Sequence, residues 1–238
     1  MTARPRRVCT RTFCGRVTGR EPRVEKDLSP RTQRIGLLGG TFDPPHQAHV
    51  ALAHLALTHL GLDAVWWIPA GRPWQKLAAE GRTPTDASHR RAMVALAIQG
   101  EPRFVLDDRE LRRQGPSYTV DSLRELRAEH PGVEWTLIIG QDQLSRFDTW
   151  RDWPQLLQWV TLAVAGRAGS APQAPAALGG HPLRMQELPL PEMPVSSTLL
   201  RQAVARGEDI SPLAGSAVAR YIAQHHLYQS AGTEPAPD

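Results

Sequence analysis

Short apolar segments alternate with helical patterns through most of this 238-residue chain, and this alternation limits the possible folds more than any other feature. A short apolar run that stops at glycine or proline is too brief for a helix, so we interpret such runs as buried strands. The predicted strands cover residues 34–39, 64–69, 104–106, 134–139 and 160–165. Strands and helices alternating at this spacing favour a parallel sheet with helices on both faces. The predicted fold class is therefore α/β, with one doubly wound parallel sheet and C-terminal helices.

The helices are marked by apolar periodicity and by capping residues. Asp86, Ser117 and Ser196 or Ser197 are the expected N-caps of three helices. The predicted helices cover residues 46–60, 86–98, 117–130, 153–159, 196–205 and 214–226. Residues 166–182 are rich in Gly, Ala and Pro, which indicates a loop or flap. No linker divides residues 34–228, so we expect a single domain there.

The two ends of the chain differ from this domain. Residues 1–33 carry nine Arg or Lys against three acidic residues, so the rest is slightly negative although the formal net charge is +4. This excludes a basic nucleic-acid-binding body, although the Arg-rich leader leaves RNA binding open as a separate property. We expect residues 1–33 to be a disordered extension or the product of a start codon assigned too far upstream, with an organellar transit peptide as the alternative. Residues 229–238 are expected to form a flexible tail.

Cysteine content and hydropathy narrow the class of protein further. Cys9 and Cys14 are the only cysteines, and both lie in the leader, so a disulfide framework in the domain is excluded. No apolar run is long enough to span a bilayer. These features predict a cytoplasmic protein without a membrane partner. Its oligomeric state is not visible in the sequence, and a homo-oligomer stays open.

Ligands of open parallel sheets bind beyond the carboxyl ends of the strands, which directs attention to residues 39–49, GGTFDPPHQAH. The two glycines let backbone amides approach an anion closely, and the following helix N-terminus adds partial positive charge. The segment matches neither the P-loop nor the GxGxxG dinucleotide fingerprint. His46 and His49 lie three residues apart at the helix start, so both can face one anion. A zinc pair is the alternative interpretation.

Residues 39–49 closely resemble the GGTFDP-x-H-x-G-H signature of the nucleotidyltransferase superfamily, and Val195–Arg201 resembles its ISSTxIR motif. The resemblance implies a Rossmann-like sheet in which the two motifs form the halves of one ATP site. It implies that His46 and His49 stabilise the α-phosphorus during transfer. The second motif is expected to hold the β- and γ-phosphates through hydroxyls, helix-start amides and Arg201. Ala48 stands where the family has glycine, and its methyl group could restrict the approach of adenosine.

Three further segments resemble the nicotinate-nucleotide adenylyltransferase branch of this superfamily. They are residues 116–123 (PSYTVDSL), residues 138–150 (IIGQD followed by FDTW) and the YI…LY ending at residues 221–228. The resemblance covers about residues 34–228 and keeps the order of the motifs. It implies transfer of AMP from ATP to nicotinate mononucleotide, which gives deamido-NAD and pyrophosphate. The alternatives are an adenylyltransferase with another acceptor and a catalytically silent nucleotide-binding regulator.

The resemblance assigns site residues by position. Lys76, which follows the second strand, is expected to contact phosphate, with Arg72 as the local competitor. Asp142 is expected on the adenosine side, or as a buried carboxylate that caps the following helix. The expected catalytic residues are His46, His49, Lys76 and Arg201; the ATP-binding residues are Gly39, Gly40, Thr41, Phe42, Gly140, Asp142, Ser197 and Thr198; the nicotinate-nucleotide-binding residues are Tyr118, Thr119, Trp150 and Arg151.

The chemistry of the substrates agrees with these positions. A pyridinium ring is flat and cationic, so an aromatic face such as Trp150 attracts it. The acceptor phosphate is ionised at neutral pH and needs no general base, so positioning and charge neutralisation carry the catalysis. We expect Mg²⁺ to be carried by the ATP phosphates, with no metal site in the protein and no tightly bound cofactor.

Overall fold

The computed structural model describes residues 32–72, 83–166 and 171–229, and in these ranges six parallel strands form one sheet. The strands are β1 (Arg34–Gly40), β2 (Ala64–Pro69), β3 (Phe104–Leu106), β4 (Glu134–Gly140), β5 (Val160–Ala165) and β6 (Met185–Leu188). Their order across the sheet is β3-β2-β1-β4-β5-β6. The chain order therefore reverses between β1 and β4, which pair directly from Arg34↔Glu134 to Leu38↔Ile138. The predicted α/β class with a doubly wound parallel sheet is confirmed.

Nine α-helices lie within the described residues. They are α1 (Gln47–His59), α2 (Ala87–Ala97), α3 (Arg109–Arg112), α4 (Thr119–Glu129), α5 (Gln141–Leu144), α6 (Trp153–Trp159), α7 (Ser197–Ala205), α8 (Ser211–Ala214) and α9 (Ser216–Gln224). Single 3₁₀ turns occupy Phe147–Thr149 and Ala176–Leu178. Across the described part of the chain, no helix has the length and apolar character needed to cross a membrane.

Both faces of the sheet are buried, and the alternation of side chains along each strand divides the core in two. In β1, Leu37 packs with the helices α4, α5 and α6, whereas the next residue, Leu38, packs with α1 on the opposite face. A side chain at Gly36 would place Cβ 2.8 Å from Leu62 and 2.9 Å from Ile138, so glycine allows close packing on the α1 face. A third apolar cluster joins α2 to the C-terminal helices α7, α8 and α9. The C-terminal helices are thereby fixed beside the carboxyl end of β1.

Several local predictions are confirmed. The five predicted strands agree with β1 to β5 to within one residue. Asp86 caps α2 by accepting a 2.8 Å hydrogen bond from the Ser88 amide. Ser196 caps α7 by accepting one of 3.2 Å from the Leu199 amide. Carboxylate and hydroxyl oxygens at these positions satisfy amides that have no partner inside the helix.

Three local features differ from the predictions. Strand β6, in the segment MQEL, was not expected because it is mostly exposed and lacks an apolar run. Ser117 does not cap α4, whose N-cap is Tyr118. The final helix predicted over residues 214–226 corresponds to α9, whose bounds are two residues shorter at each end, and the short helix α8 before it was not predicted; Gly215 adopts φ +87° between the two. The predictions for Lys76, for most of the leader and tail, and for part of the 166–182 loop fall outside the described residues.

Candidate active site

A cavity of about 600 Å³ opens beyond the carboxyl ends of β1 and β4, at the point where the strand order reverses. This is where ligands of open α/β sheets bind. The side chains and backbone around it come from the end of β1, the start of α1, the end of β4, the segment before α4 and the start of α7. Its lining includes Gly39, Gly40, Thr41, Phe42, His46, Ala48, His49, Glu110, Ser117, Tyr118, Thr119, Ser122, Gly140, Gln141, Asp142, Gln143, Trp150, Arg151 and Ser197.

His46 and His49 form a stacked pair at the start of α1. Their ring centroids are 3.7 Å apart with an interplanar angle of 27°, and His46 is 8% exposed. The Nδ1 atom of His49 accepts a 3.2 Å hydrogen bond from the His46 amide. A neutral imidazole that accepts at Nδ1 carries its hydrogen at Nε2, so His49 can donate from Nε2 to an anion.

The loop before this pair packs tightly against the end of β1. Phe42 is 1% exposed, adopts φ +51° and places its ring edge against His49, with a centroid separation of 5.0 Å. A Cβ at Gly40 would lie 3.0 Å from the Phe42 ring. Glycine at this position therefore lets the aromatic ring lie under the strand end, where it supports the His49 imidazole.

The two motifs that are far apart in sequence meet in the structure. The Ser197 hydroxyl donates a 2.8 Å hydrogen bond to the Pro44 carbonyl, across 153 positions of sequence. The Arg201 guanidinium donates to the Asp43 carbonyl at 2.9 Å and to the Thr198 hydroxyl at 3.1 Å. The N-termini of α1 and α7 therefore lie side by side, and each contributes partial positive charge. Ser197 lines the cavity, whereas Thr198 and Arg201 do not belong to its lining.

Arg90, in α2, supports the loop from behind and was missed by sequence reasoning. This side chain is only 2% exposed. Its guanidinium donates to the carbonyl oxygens of Thr41 (3.0 Å), Ala70 (2.6 Å), Gly71 (3.1 Å) and Thr85 (2.9 Å). Burial lowers the pKa of the Arg90 guanidinium, and the negative charge of Asp43 opposes that shift. One cation thus ties the ends of β1 and β2 together at the cavity.

The other half of the cavity carries the aromatic residues predicted for the acceptor. The Trp150 ring is half-buried and stacks on Phe147, with centroids 5.1 Å apart and an interplanar angle of 27°. The Arg151 guanidinium lies over the Tyr118 ring, 4.8 Å from its centroid. Tyr118, Thr119, Trp150 and Arg151 all line the same cavity. A flat ligand can therefore meet an aromatic surface at this end.

Ser117 has a different role from the one predicted. Its hydroxyl oxygen accepts hydrogen bonds from the amides of Gly71 at 2.9 Å and Arg72 at 3.2 Å. Ser117 thus fastens the segment before α4 to the loop that follows β2, instead of capping α4. A contact between residues 46 positions apart leaves no local signal in the sequence, which explains the wrong prediction.

At the end of β4, the predicted residues Gly140 and Asp142 reach the cavity. Asp142 is exposed in the first turn of α5, so the alternative of a buried capping carboxylate is wrong. The neighbouring Gln141, which was not predicted, bonds both main-chain groups of Gln173: its Nε2 donates to the carbonyl at 2.9 Å, and its Oε1 accepts from the amide at 3.0 Å. Within the described ranges, no group of three or more His, Cys, Asp or Glu side chains could hold a metal ion.

The chain is similar to known proteins in its family model, in its sequence and in its fold. The family model described as cytidylyltransferase-like matches residues 37–203. The "Probable nicotinate-nucleotide adenylyltransferase" of Methylibium petroleiphilum is 48% identical over 206 residues, which cover 85% of this chain and 95% of that protein. The protein of the same name from Bordetella petrii is 44% identical and is covered over its whole length, as is 83% of this chain.

The fold is also found in a solved structure of the same enzyme class. The Plasmodium falciparum nicotinic acid mononucleotide adenylyltransferase complexed with NaAD has a TM-score of 0.67 and 18% identity. The match covers 82% of this chain and 97% of that one, and at this identity it shows the fold alone. The bacterial relatives at 44–48% identity show the family as well as the fold, and they confirm the resemblance inferred from the sequence motifs. The chain belongs to the nicotinate-nucleotide adenylyltransferase family, within the cytidylyltransferase-like nucleotidyltransferases.

Proposed function

We propose that this chain transfers AMP from ATP to nicotinate mononucleotide, giving deamido-NAD and pyrophosphate. Membership of the family supports the reaction. The observation that carries the assignment to this cavity is the junction of its two phosphate-facing motifs, made by the 2.8 Å bond from Ser197 to the Pro44 carbonyl. That junction places two helix N-termini and a histidine pair at one end of a cavity whose other end is aromatic.

The phosphate end is proposed to hold ATP. The N-termini of α1 and α7 offer amides and positive dipole ends to the triphosphate. His49 donates from Nε2 to an oxygen on the α-phosphorus, and His46 stacks on His49 and holds its ring in place. Gly39, Gly40, Thr41 and Phe42 approach the nucleotide through backbone, while Ser197, Thr198 and Arg201 serve the outer phosphates. Lys76 is proposed as a further phosphate contact.

The aromatic end is proposed to hold the acceptor. Trp150 provides a flat surface for the pyridinium ring, an interaction of roughly 0.5–2 kcal/mol. The main-chain amides near Thr119 and Arg151 are proposed to donate to the nicotinate carboxylate. Main-chain N–H groups can only donate. The NH₂ donors of a nicotinamide substrate would therefore face other donors, and the nicotinate acid should bind better. Gly140 and Asp142 lie at the end of β4 and are assigned to the adenosine side.

The reaction needs no covalent intermediate on the protein. An oxygen of the acceptor phosphate attacks the α-phosphorus of ATP, the bond to the bridging oxygen breaks, and pyrophosphate leaves with that oxygen. The acceptor phosphate is already ionised at neutral pH, so no side chain has to remove a proton first. The side chains at the phosphate end position the two substrates in line and neutralise charge that develops around the α-phosphorus of the transferred AMP.

Nucleotidyltransferases of this family use a divalent metal ion with ATP. We propose that the ion is Mg²⁺ and that the ATP phosphates carry it. The donor set fits that arrangement: both Asp43 oxygens already accept hydrogen bonds, from Tyr228 and from the Thr85 amide, and the cavity's phosphate end offers imidazoles and hydroxyls. Mg²⁺ prefers oxygen ligands and neutralises phosphate charge. We also propose that the reaction takes place in the cytoplasm.

The test is pyrophosphate release by purified protein with ATP and Mg²⁺, with nicotinate mononucleotide and nicotinamide mononucleotide compared as acceptors. Strong release with the acid and weak release with the amide is the expected result. Preference for the amide would preserve the reaction class but contradict the proposed carboxylate site. No release with either acceptor, from protein that still binds ATP, would favour another acceptor or a nucleotide-binding regulator.

A further inference from the structure

Glu110 is a buried carboxyl group in the wall of the cavity that has no part in the proposed chemistry. It belongs to the short helix α3, is 8% exposed, and lies on the side of the cavity that also carries Ser117 and Tyr118. Acidic residues are seldom so deeply buried unless their oxygens are satisfied by hydrogen bonds. The contacts of this carboxyl group therefore indicate what it does.

Hydrogen-bond donors converge on Glu110 from two directions. The Ser122 hydroxyl, in α4, donates to Oε1 at 2.7 Å, and Arg113 in turn donates to the Ser122 oxygen at 3.2 Å. The Ser117 hydroxyl also lies near the carboxyl and acts to lower its pKa. Because the Ser117 oxygen accepts from the Gly71 and Arg72 amides, its single hydrogen is the one available for Glu110.

The polarity of this network requires an acceptor at its centre. The Ser122 hydroxyl donates to Glu110, and the Ser117 hydroxyl, whose oxygen already accepts from two amides, has its hydrogen left for an acceptor on that side. Burial raises the pKa of the Glu110 carboxyl, and the hydrogen bond from Ser122, the nearby Ser117 hydroxyl and the charge of Arg113 act against that rise. An oxygen acceptor here orients Ser117 and Ser122 together, and these residues bracket Tyr118 and Thr119.

The backbone around Glu110 leaves little room for the wall to shift. A Cβ built on Gly71 would lie 2.1 Å from the Glu110 carbonyl oxygen, so the loop after β2 touches α3 directly. The network therefore joins three segments: the β2 loop, α3 and the start of α4. Movement of any one of them would move the Tyr118 ring and the Thr119 amide relative to the cavity.

We propose that Glu110 is a positioning residue for the acceptor half of the cavity: it acts through Ser117 and Ser122 to hold Tyr118 and Thr119 where they meet the mononucleotide. This inference rests on the proposed function, because it takes the aromatic end as the mononucleotide site. The loop at the phosphate end is supported by Arg90 and by the contact between Arg201 and the Asp43 carbonyl, and Arg90 also bonds the β2 loop at Gly71.

The test compares steady-state kinetics of E110Q with those of the wild-type protein. Glutamine keeps the size of the side chain but offers one acceptor oxygen in place of two, so the two hydroxyls compete for it. Loss of one buried hydrogen bond to a charged group corresponds to about tenfold in binding. The expected result is therefore a KM for nicotinate mononucleotide raised about tenfold, with the KM for ATP within about twofold of the wild-type value.

Two further variants keep the test informative. S122A removes one donor and leaves the carboxylate in place, so it should raise the same KM by a smaller factor even if E110Q folds poorly. E125Q is the matched control: Glu125 also lies in α4 and pairs with Arg113 at 2.8 Å, but its side chain is 46% exposed. Its kinetic constants should equal those of the wild type, because exposed ion pairs contribute little.

The outcomes separate this inference from the proposed function. If the wild type is active with nicotinate mononucleotide but E110Q and S122A raise both KM values equally, or neither, the positioning role is overturned and the function stands. If the wild type releases no pyrophosphate with that acceptor while still binding ATP, the proposed function fails, and the inference fails with it.

Discussion

The phenolic hydroxyl of Tyr228 donates a 2.6 Å hydrogen bond to the Asp43 carboxylate, which joins positions 185 residues apart. Asp43 is 2% exposed, and its other carboxylate oxygen accepts a 3.2 Å bond from the Thr85 amide. Its carbonyl oxygen accepts from Arg201. Tyr228, which follows α9, therefore holds the loop that leads into His46 and so contributes to the phosphate end of the cavity.

Substitution of Tyr228 with Phe tests this contact. The variant keeps the ring but removes one donor from a buried carboxylate, which should lower the free energy of unfolding by about 1.5–3 kcal/mol. Urea unfolding followed by circular dichroism measures it. Y221F is the control, because the Tyr221 hydroxyl meets the half-buried His89 at 2.9 Å instead of a buried charge, and its loss should be smaller. Equal losses in the two variants would contradict the special role of Asp43.

Arg90 provides a second test of the same loop. Substitution with Met keeps much of the side-chain volume but leaves four carbonyl oxygens without this donor. We expect a loss of about 3–5 kcal/mol in the free energy of unfolding, as for a broken buried ionic network. R91M is the matched control: Arg91 is the next residue in α2, is 55% exposed and pairs with Asp108, so its loss should stay below about 1 kcal/mol. Similar losses would argue against the bracing role.

The strands and the two phosphate-facing motifs could be predicted from the sequence because their signals are local. Apolar runs such as residues 134–139 indicate a strand by themselves, and the GGTFDPPHQAH segment carries its glycines and histidines together. Strand β6 could not be predicted, because MQEL forms a strand only by pairing with β5 at the edge of the sheet. Its exposed residues give no apolar pattern.

The supporting residues of the site escaped prediction for a similar reason. Arg90 lies in an ordinary helical segment, and its role depends on carbonyl groups that come from distant loops. The YI…LY ending resembles that of the family, but the bond from Tyr228 to Asp43 exists only once the C-terminal helices pack against α2. Contacts that depend on tertiary packing leave no spacing in the sequence that could identify them.

Substitution of His49 with Ala tests the histidine pair. It removes the proposed Nε2 donor at the α-phosphorus and the ring that stacks on His46, so kcat should fall by about 100-fold or more. Pyrophosphate release at saturating substrates measures kcat, and circular dichroism checks the fold. H59A, at the exposed C-terminal end of the same helix, is the control and should keep wild-type turnover. Near-normal turnover in H49A would remove His49 from the proposed mechanism.

Ala48 lines the cavity where the family signature has glycine, and its substitution is expected to improve ATP binding instead of impairing the enzyme. A48G removes a methyl group from the start of α1 and should lower the KM for ATP by about threefold to tenfold, or about 0.7–1.4 kcal/mol. The same change should reduce stability by about 1 kcal/mol, because glycine disfavours the helix. Kinetics at varied ATP and urea unfolding measure the two effects separately. An unchanged or higher KM would show that the methyl group does not crowd adenosine.

The free energy of unfolding should depend on pH in part through the titration of Glu110. Burial raises the pKa of this carboxyl above its ordinary value of 4.5, although the hydrogen bond from Ser122, the nearby Ser117 hydroxyl and the charge of Arg113 reduce the shift and Asp107 adds to it. The folded protein therefore holds the proton more tightly than the unfolded chain, so the stabilisation from this group is complete below pH 4.5 and declines as the pH rises through the raised pKa.

Urea unfolding of wild type and E110Q between pH 4 and 8 measures this effect, because glutamine does not titrate and other groups cancel in the difference. We expect the stability of the wild type relative to E110Q to be greatest at the acid end and to fall as the pH rises. A difference that grows with pH would mean that the hydroxyls and Arg113 outweigh burial and that the folded protein favours the ionised form. In that case the carboxylate would be held as an anion, and the inference that the pKa of Glu110 is raised would be wrong.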